Sequence, residues 1–101
     1  MSFEWDEAKN RINRQKHGIS FEEACLIFDG AVFSAKDERF AYGEERIISI
    51  GAITTLVIVV VVHTDRNGSI RIISARLANR KERTRYHAHL SGETEGTGGS
   101  I

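Results

Sequence analysis

The chain has 101 residues, enough for one domain, and its 41% hydrophobic and 28% charged residues exclude an intrinsically disordered protein. Fourteen basic and fourteen acidic residues cancel, so the net charge by itself indicates no particular partner. The single cysteine, Cys25, excludes an internal disulfide, and the charged first twenty residues do not resemble a signal peptide, so we expect a cytoplasmic protein.

The beginning of the chain predicts a short strand followed by a helix. Residues 3–5 alternate aromatic and charged side chains, Asp6 suits an N-cap, and the charged run 9–16 favours a helix that ends at Gly18. The apolar stripe of this helix consists of Ala8 and Ile12, with Gln15 as a further candidate. Because the stripe is narrow, we expect the helix to lie on the surface.

A second helix is predicted to begin at Ser20, because Glu23 follows three residues later in the spacing of a capping box. The side chains expected on its buried face are Phe21, Ala24, Cys25 and Phe28. Asp29 and Gly30 end this helix. On that buried face Cys25 is interpreted as a core residue.

The remainder of the chain predicts a sheet and a closing helix. The candidate strands are residues 31–35, 46–53, 55–64 and 69–75, the helix is residues 78–90, and residues 91–101 are expected to be a disordered tail. The apolar run 56–62 cannot alternate between core and water, so its strand should be central and covered on both faces. The longer apolar stretch 47–62 is too short for a membrane span, which needs about twenty residues, and no membrane association is expected.

The predicted fold class is therefore α+β, with a short N-terminal strand, two helices, a mostly antiparallel four-stranded sheet and a C-terminal helix. Residues 1–90 form one domain in this interpretation. Charge is distributed unevenly along it. Residues 63–89 carry seven bases and two acids, a net charge of +5, whereas residues 20–48 carry three bases and seven acids, a net charge of −4. The basic part favours a polyanion such as RNA, and the acidic part favours solvent or a basic partner.

The turn signal Asn67-Gly68 predicts a hairpin that presents several cationic side chains. With a two-residue loop, regular alternation puts Arg66 and Arg71 on one face of the sheet. It puts His63 and Arg76 on the other face, and a four-residue loop would shift these pairs. Several guanidinium groups converging on one phosphate would stabilise the charge that builds there.

The last helix adds further candidates. If it starts as early as Arg76, then Arg76, Arg80, Arg83 and His87 share one helical face. Tyr86 could donate a proton, stack on a base or fill the edge of the core. Structural interpretations stay open for both elements. The arginines of such a helix more often form a solvated surface, and a histidine such as His63 at the end of a buried strand more often has a structural role. His87 and His89 point to opposite sides of a helix, so no metal site is predicted.

Three stretches resemble the BrnT family of ribonuclease toxins. They are FEWDEAKNRINRQKHGISFEEA, GEERIISIG and HTDRNGSIRIISARLANRKERTRY, which occur in this order and together run from Phe3 to Tyr86. The resemblance implies a fold similar to RelE toxins, in a type II toxin–antitoxin pair. It also implies an endoribonuclease that arrests translation, and an antitoxin, BrnA, with a ribbon-helix-helix DNA-binding part. We expect a 2:2 complex with that antitoxin, which reaches operator DNA only through the antitoxin.

The residues assigned to the site combine family motifs with the patterns above. The expected catalytic residues are His17, His63, Arg66, Arg71, Arg76 and Tyr86, and the expected RNA-binding residues are Lys9, Lys16, Arg80, Glu82 and Arg83. The three arginines would hold the scissile phosphate, and His17 or His63 would shuttle the proton, because imidazole titrates nearest neutral pH. No cofactor and no metal are expected. The alternative function is a non-catalytic module that binds nucleic acid or an antitoxin.

Overall fold

The computed structural model describes residues 2–39, 41 and 43–92, and it confirms the predicted α+β class. In chain order the elements are β1 (Ser2–Glu4), α1 (Glu7–His17), α2 (Phe21–Ala24), a 3-10 helix (Cys25–Asp29), β2 (Val32–Lys36), β3 (Ile47–Ala52), β4 (Ile58–Arg66), β5 (Ser69–Leu77) and α3 (Arg80–Leu90). None of the helices in this described part is long and apolar enough to cross a membrane. The tail predicted for residues 91–101 falls, from residue 93 onward, outside the described residues.

The sheet has the strand order β1-β5-β4-β3-β2, one strand more than predicted. Strands β2 to β5 are antiparallel neighbours, and β1 joins the far edge by pairing in parallel with β5. The predicted central strand is confirmed: in β4, the run Ile58, Val59, Val60 and Val61 is at most 3% exposed. Because both of its faces are covered, β4 tolerates the continuous apolar run that the sequence shows.

Helices cover the two faces of the sheet separately. On one face, here called the α1 face, Val59, Val61, Ile70 and Ile72 pack with Phe21 and Ile27. On the other, here called the α3 face, Ile50, Ile58 and Val60 pack with Ala78 and Tyr86. Among the described residues, helix α3 makes its larger contacts with this second face at strands β2 and β3, away from the far end of the β4–β5 hairpin.

The hairpin has the predicted two-residue loop, with Asn67 and Gly68 in the left-handed region at φ 49° and 84°. The predicted distribution of its side chains is wrong, however, because β5 contains a β-bulge. His63 pairs with Ile72 but Val62 pairs with Ser74, so one residue of β5 has no counterpart. The extra residue reverses the alternation beyond it and turns Arg76 to the α3 face, where Arg66 and Arg71 also lie.

Helix α1 is attached to the sheet by polar side chains, and the predicted apolar stripe does not attach it. The buried residues of α1 are Asn10 and Asn13, at 2% and 7% exposure, whereas Ile12 is 61% exposed. The Asn13 amide donates to the carbonyl oxygens of Ile19 and Ala75, at 2.9 and 2.8 Å, and accepts from the Ala75 N–H at 3.3 Å. Two of these bonds join α1 to Ala75 of β5, and the third joins it to Ile19, between α1 and α2.

The second predicted helix is split. Its capping box is present, because the Ser20 hydroxyl accepts from the Glu23 N–H and the Glu23 carboxylate accepts from the Ser20 N–H. After Ala24 the chain tightens into the 3-10 helix, a common ending for short helices. This turn buries Ile27 against β3 at Gly51, where a Cβ would lie 2.6 Å from the Ile27 Cβ.

The last helix begins two residues later than predicted. Asn79 is its N-cap, its side chain accepts from the Glu82 N–H, and Glu82 completes a capping box. Arg76 lies in β5, so the helix does not start there and the condition for a helical face shared with Arg80 and Arg83 is not met. The capping box, which the sequence N-R-K-E contains, fixes the boundary that composition alone did not.

Candidate nucleic-acid interface

Three of the predicted arginines lie on the α3 face. Arg66 and Arg71 come from the two sides of the hairpin, and Arg76 pairs with Val60, whose side chain packs beside Tyr86 of α3. We call Arg66, Arg71 and Arg76 the arginine cluster. Their side chains are 50%, 33% and 44% exposed, so each guanidinium is held by the protein yet reaches solvent.

Each arginine of the cluster has a carboxylate partner. Arg66 Nη2 donates to Glu44 Oε2 at 2.7 Å, and Arg71 Nη1 lies 3.9 Å from Glu4 Oε2. Arg76 forms a bidentate pair with Glu82, with both N···O distances at 2.8 Å. These contacts hold the guanidinium groups in place and neutralise them in the free protein.

Glu44 is the carboxylate most surrounded by positive charge. The hydrogen bond from Arg66 lowers the pKa of Glu44, and attraction from Arg66, Arg46 and Arg71 lowers it further. Arg39 is close enough to Arg76 to oppose the rise in the Arg76 pKa that its hydrogen bond to Glu82 causes. Sequence reasoning missed Arg39, Arg46 and Glu44 as members of this surface. The stretch GEERIISIG contains Glu44 and Arg46. These residues lie in or next to the loop between β2 and β3, and no periodicity in a loop predicts which way a side chain points.

The first turn of α3 adds cationic groups on the same side of the sheet. Arg80 and Arg83 are exposed, and Arg83 Nη1 donates to the Ala78 carbonyl oxygen at 2.9 Å. Glu82, which the sequence assigned to RNA binding, is occupied by the helix cap and by Arg76. The geometry therefore makes Glu82 a residue that positions Arg76.

Tyr86 is part of the core beneath this surface. It is 3% exposed, and its hydroxyl donates to the Ala31 carbonyl oxygen at 3.0 Å. This bond connects α3 to the start of β2. Of the alternatives that the sequence left open for Tyr86, packing describes the observed position.

The predicted histidines are not brought to the arginine cluster. His63 pairs with Ile47 and Ile72, and its ring packs edge-on against Phe28, which places it on the α1 face. Burial lowers the pKa of His63, and its contact with Asp65 opposes that shift. His17 is the last residue of α1, on the same side of the sheet.

The predicted lysines also lie away from the cluster. Lys9 and Lys16 are exposed residues of α1, which packs on β5 through its buried asparagines. Their helix reaches the sheet at Ala75 of β5, whose backbone bonds to Asn13, and Ala75 belongs to the core of the α1 face. The eleven predicted site residues thus divide into a group on the α3 side and a group on the α1 side.

Comparisons with known proteins agree on one family. The family model described as the ribonuclease toxin BrnT of type II toxin–antitoxin systems matches residues 5–82. Among solved structures, the chain is similar to the crystal structure of the Brucella abortus ribonuclease toxin BrnT. The two are 28% identical, the match covers 79% of this chain and 99% of that chain, and the TM-score is 0.60. No curated protein matches the chain.

Proposed function

The chain belongs to the BrnT family of ribonuclease toxins of type II toxin–antitoxin systems, and from this membership we propose that it is a metal-independent endoribonuclease that arrests translation in the cytoplasm. The observation that supports this proposal best is the placement of Arg66, Arg71 and Arg76 on the same face of the sheet, each with its guanidinium partly exposed. Three guanidinium groups from adjacent strands offer the planar donor pairs that phosphate oxygens accept.

In the proposed reaction, the 2′-hydroxyl oxygen of a ribose attacks the adjacent phosphorus atom and the 5′-oxygen leaves. The products are a 2′,3′-cyclic phosphate and a free 5′-hydroxyl. Negative charge builds on the phosphate oxygens in the transition state, and the arginine cluster stabilises it by preorganised hydrogen bonds. Arg80 and Arg83 extend the cationic surface along the RNA backbone.

Proton transfer needs a group beside the cluster, and neither His17 nor His63 lies there. Glu44 does, because its carboxylate contacts the Arg66 guanidinium at 2.7 Å. We therefore assign the acceptance of the 2′-hydroxyl proton to Glu44, with solvent protonating the leaving 5′-oxygen. In the free protein the same carboxylate occupies Arg66, so binding of RNA begins with an exchange of Glu44 for phosphate.

For the partner, we propose an antitoxin of the BrnA type with a ribbon-helix-helix part, in a 2:2 complex that reaches operator DNA through the antitoxin. Strand β2 is an edge of the sheet. The net negative charge of residues 20–48, which include β2, favours a basic segment of such a partner. Co-expression with the antitoxin and light scattering of the purified complex would test the stoichiometry.

The experiment that tests the ribonuclease proposal is cleavage of a defined single-stranded RNA by the purified protein in EDTA. We expect cleavage by the wild type and its loss in Arg76→Ala. The matched control is Arg11→Ala, which removes the same charge from an exposed position of α1.

Full cleavage by a folded Arg76→Ala variant would overturn the assignment of the cluster. RNA that stays intact while binding is retained would instead support the non-catalytic binding module. Cleavage that stops in EDTA and returns with a divalent cation would contradict metal independence alone.

A further inference from the structure

A line of hydrogen-bonded side chains crosses three strands on the α1 face. Ser34 Oγ of β2 lies 2.7 Å from Ser49 Oγ of β3, and Ser49 Oγ lies 2.8 Å from His63 Nε2 of β4. On the other side of the imidazole, His63 Nδ1 lies 3.0 Å from Asp65 Oδ1. The strand register places Ser34 opposite Ser49, so the line follows from the pairing of the sheet.

The chemistry of the four groups fixes the direction of these bonds. A carboxylate only accepts, so His63 Nδ1 carries the proton that is donated to Asp65. Burial lowers the pKa of His63, so its ring is neutral near pH 7 and Nε2 accepts from the Ser49 hydroxyl. Ser49 has then used its proton, and its oxygen accepts from the Ser34 hydroxyl.

The two ends of the line differ from its middle in exposure. Ser49 and His63 are 1% and 3% exposed, and the Phe28 ring packs edge-on against the imidazole at 5.1 Å between centroids. Ser34 is exposed. The Ser34 hydroxyl therefore donates its proton to the buried Ser49 hydroxyl, while Ser34 itself is accessible from solvent. A hydroxyl group that is hydrogen-bonded to a proton acceptor and open to a substrate has the arrangement of an activated nucleophile.

The same strand carries a cationic side chain two residues from this hydroxyl. Lys36 is two residues from Ser34 on the same strand, so the two side chains share the α1 face. The Lys36 side chain is 62% exposed, and its Nζ lies 3.2 Å from Glu45 Oε2. An ammonium group at this distance along the strand favours a reagent whose leaving group is an anion, such as phosphate.

We propose that Ser34 is a nucleophile that takes an acyl group from an acyl phosphate, with Ser49, His63 and Asp65 as its proton-accepting line. The Ser34 Oγ–carbon bond forms, and the bond between the acyl carbon and the phosphate oxygen breaks. The Ser34 proton moves to Ser49 Oγ as the Ser49 proton moves to His63 Nε2. Inorganic phosphate leaves, and the imidazolium returns its proton to solvent. This site lies across the sheet from the arginine cluster and does not depend on the ribonuclease proposal.

The test uses an internal control. Ser2 and Ser69 form another pair of hydrogen-bonded hydroxyl groups on neighbouring strands, without a histidine in contact. The full-length protein is incubated with acetyl phosphate, and esters are located and timed by peptide mass spectrometry. Treatment with alkaline hydroxylamine distinguishes a serine ester, which it cleaves, from an amide on Lys36.

We expect Ser34 to be acylated on the order of 10²-fold faster than Ser2 or Ser69, the usual contribution of a positioned base. Ser49→Ala and Asp65→Asn should bring the Ser34 rate down at least about tenfold. The exposed Asp65 variant serves if the buried Ser49 variant does not fold. Ser34→Ala should remove the ester and leave RNA cleavage at the wild-type rate.

Acylation of Ser34 no faster than that of Ser2 and Ser69 would overturn the proposal. An unchanged rate of Ser34 acylation in a folded Ser49→Ala or Asp65→Asn variant would also overturn it. The Ser34 hydroxyl would then react without help from the hydrogen-bonded groups next to it. Loss of RNA cleavage in a folded Ser34→Ala variant would contradict the separation of the two sites.

Discussion

At the scale of single residues, the attachment of α1 depends on buried amide groups. Asn10 accepts from the Phe21 N–H at 2.8 Å and donates to Glu22 at 2.7 Å, while Asn13 bonds to Ile19 and Ala75. An amide side chain both donates and accepts, so it completes the backbone hydrogen bonds of a segment that no strand or helix covers. A leucine at either position would fill the space and leave those groups unpaired.

Replacing Asn13 with Ala should therefore destabilise the domain by about 2–3 kcal/mol, because buried backbone groups of Ile19 and Ala75 lose their partner. Asn13→Asp should be at least as harmful, since it keeps the acceptor for the Ala75 N–H but sets an oxygen against two carbonyl oxygens. Urea unfolding followed by circular dichroism measures both. Arg11→Ala is the control, and an Asn13→Ala midpoint equal to that of Arg11→Ala would contradict the role of the amide.

The chemical type of the side chains predicted which residues reach the site better than it predicted their contacts. Guanidinium groups suit phosphate, which indicates Arg66, Arg71 and Arg76, and all three lie on one surface. The asparagines went unnoticed, since a helical wheel scores them as polar and assigns them to solvent. Their burial is decided by backbone groups far along the chain, and local periodicity holds no information about those groups.

At the scale of elements, the closest approach between layers occurs where the 3-10 helix crosses β3. Ile27 is 1% exposed and rests on Gly51, where a Cβ would lie 2.6 Å from the Ile27 Cβ and 3.2 Å from Val32 Cγ1. A side chain at position 51 would separate the 3-10 helix from the sheet. Glycine is needed here for space, since its φ is not positive.

Gly51→Ala should destabilise the domain by about 1–3 kcal/mol through overpacking against Ile27. In a domain of this size the melting temperature should fall by about 4–8 °C for each kcal/mol, which scanning calorimetry resolves. Gly30→Ala is the matched control, because a Cβ there meets nothing within 4 Å and its φ of −127° suits any residue. Equal melting temperatures for the two variants would show that the layers can separate without cost.

Element boundaries were predictable where a side chain caps or turns the chain. Asp6, Ser20 and Asn67-Gly68 were identified from the sequence and are confirmed as caps and turn. The parallel pairing of β1 with β5 was not predicted, because it joins strands about seventy residues apart. The bulge in β5 was not predicted either, since the extra residue, Ile73, is one of several apolar residues in the strand and nothing in the sequence distinguishes it from them.

At the scale of the whole molecule, opposite charges meet at one surface while the net charge is zero. The arginine cluster and its partners Glu4, Glu44 and Glu82 form neutral pairs in the free protein. In the proposed function, a polyanion would reach the arginines only as these pairs open. Removing a partner should therefore strengthen binding of RNA.

Glu44→Gln should bind an uncleavable 2′-deoxy-substituted RNA about threefold to tenfold more tightly, because one competing charge at Arg66 is gone. The slope of log K against log salt should steepen by up to about 0.7, the contribution of one more neutralised phosphate on a single strand. The cleavage rate should fall on the order of 10²-fold, since the proton acceptor is lost. Fluorescence anisotropy and single-turnover cleavage measure the two effects.

Glu45→Gln is the control for this prediction, because Glu45 is the adjacent residue but pairs with Lys36, which lies on the other face. Equal gains in RNA affinity for the two variants would indicate a general effect of charge. If Glu44→Gln binds RNA more tightly but cleaves it at the wild-type rate, the exchange of Glu44 for phosphate at Arg66 is supported. The assignment of Glu44 as the proton acceptor is then contradicted.

The bulge in β5 also matters for how members of this family are compared. Arg71 and Arg76 are five residues apart, an odd interval that a regular strand would send to opposite sides. A relative of the same length without the bulge would therefore send the two arginines to opposite faces of the sheet, whereas a relative with one residue fewer and no bulge would keep them together. The position of the arginines thus depends on the length of this segment as well as on its residue types. An alignment of the family should allow a gap of one residue between them.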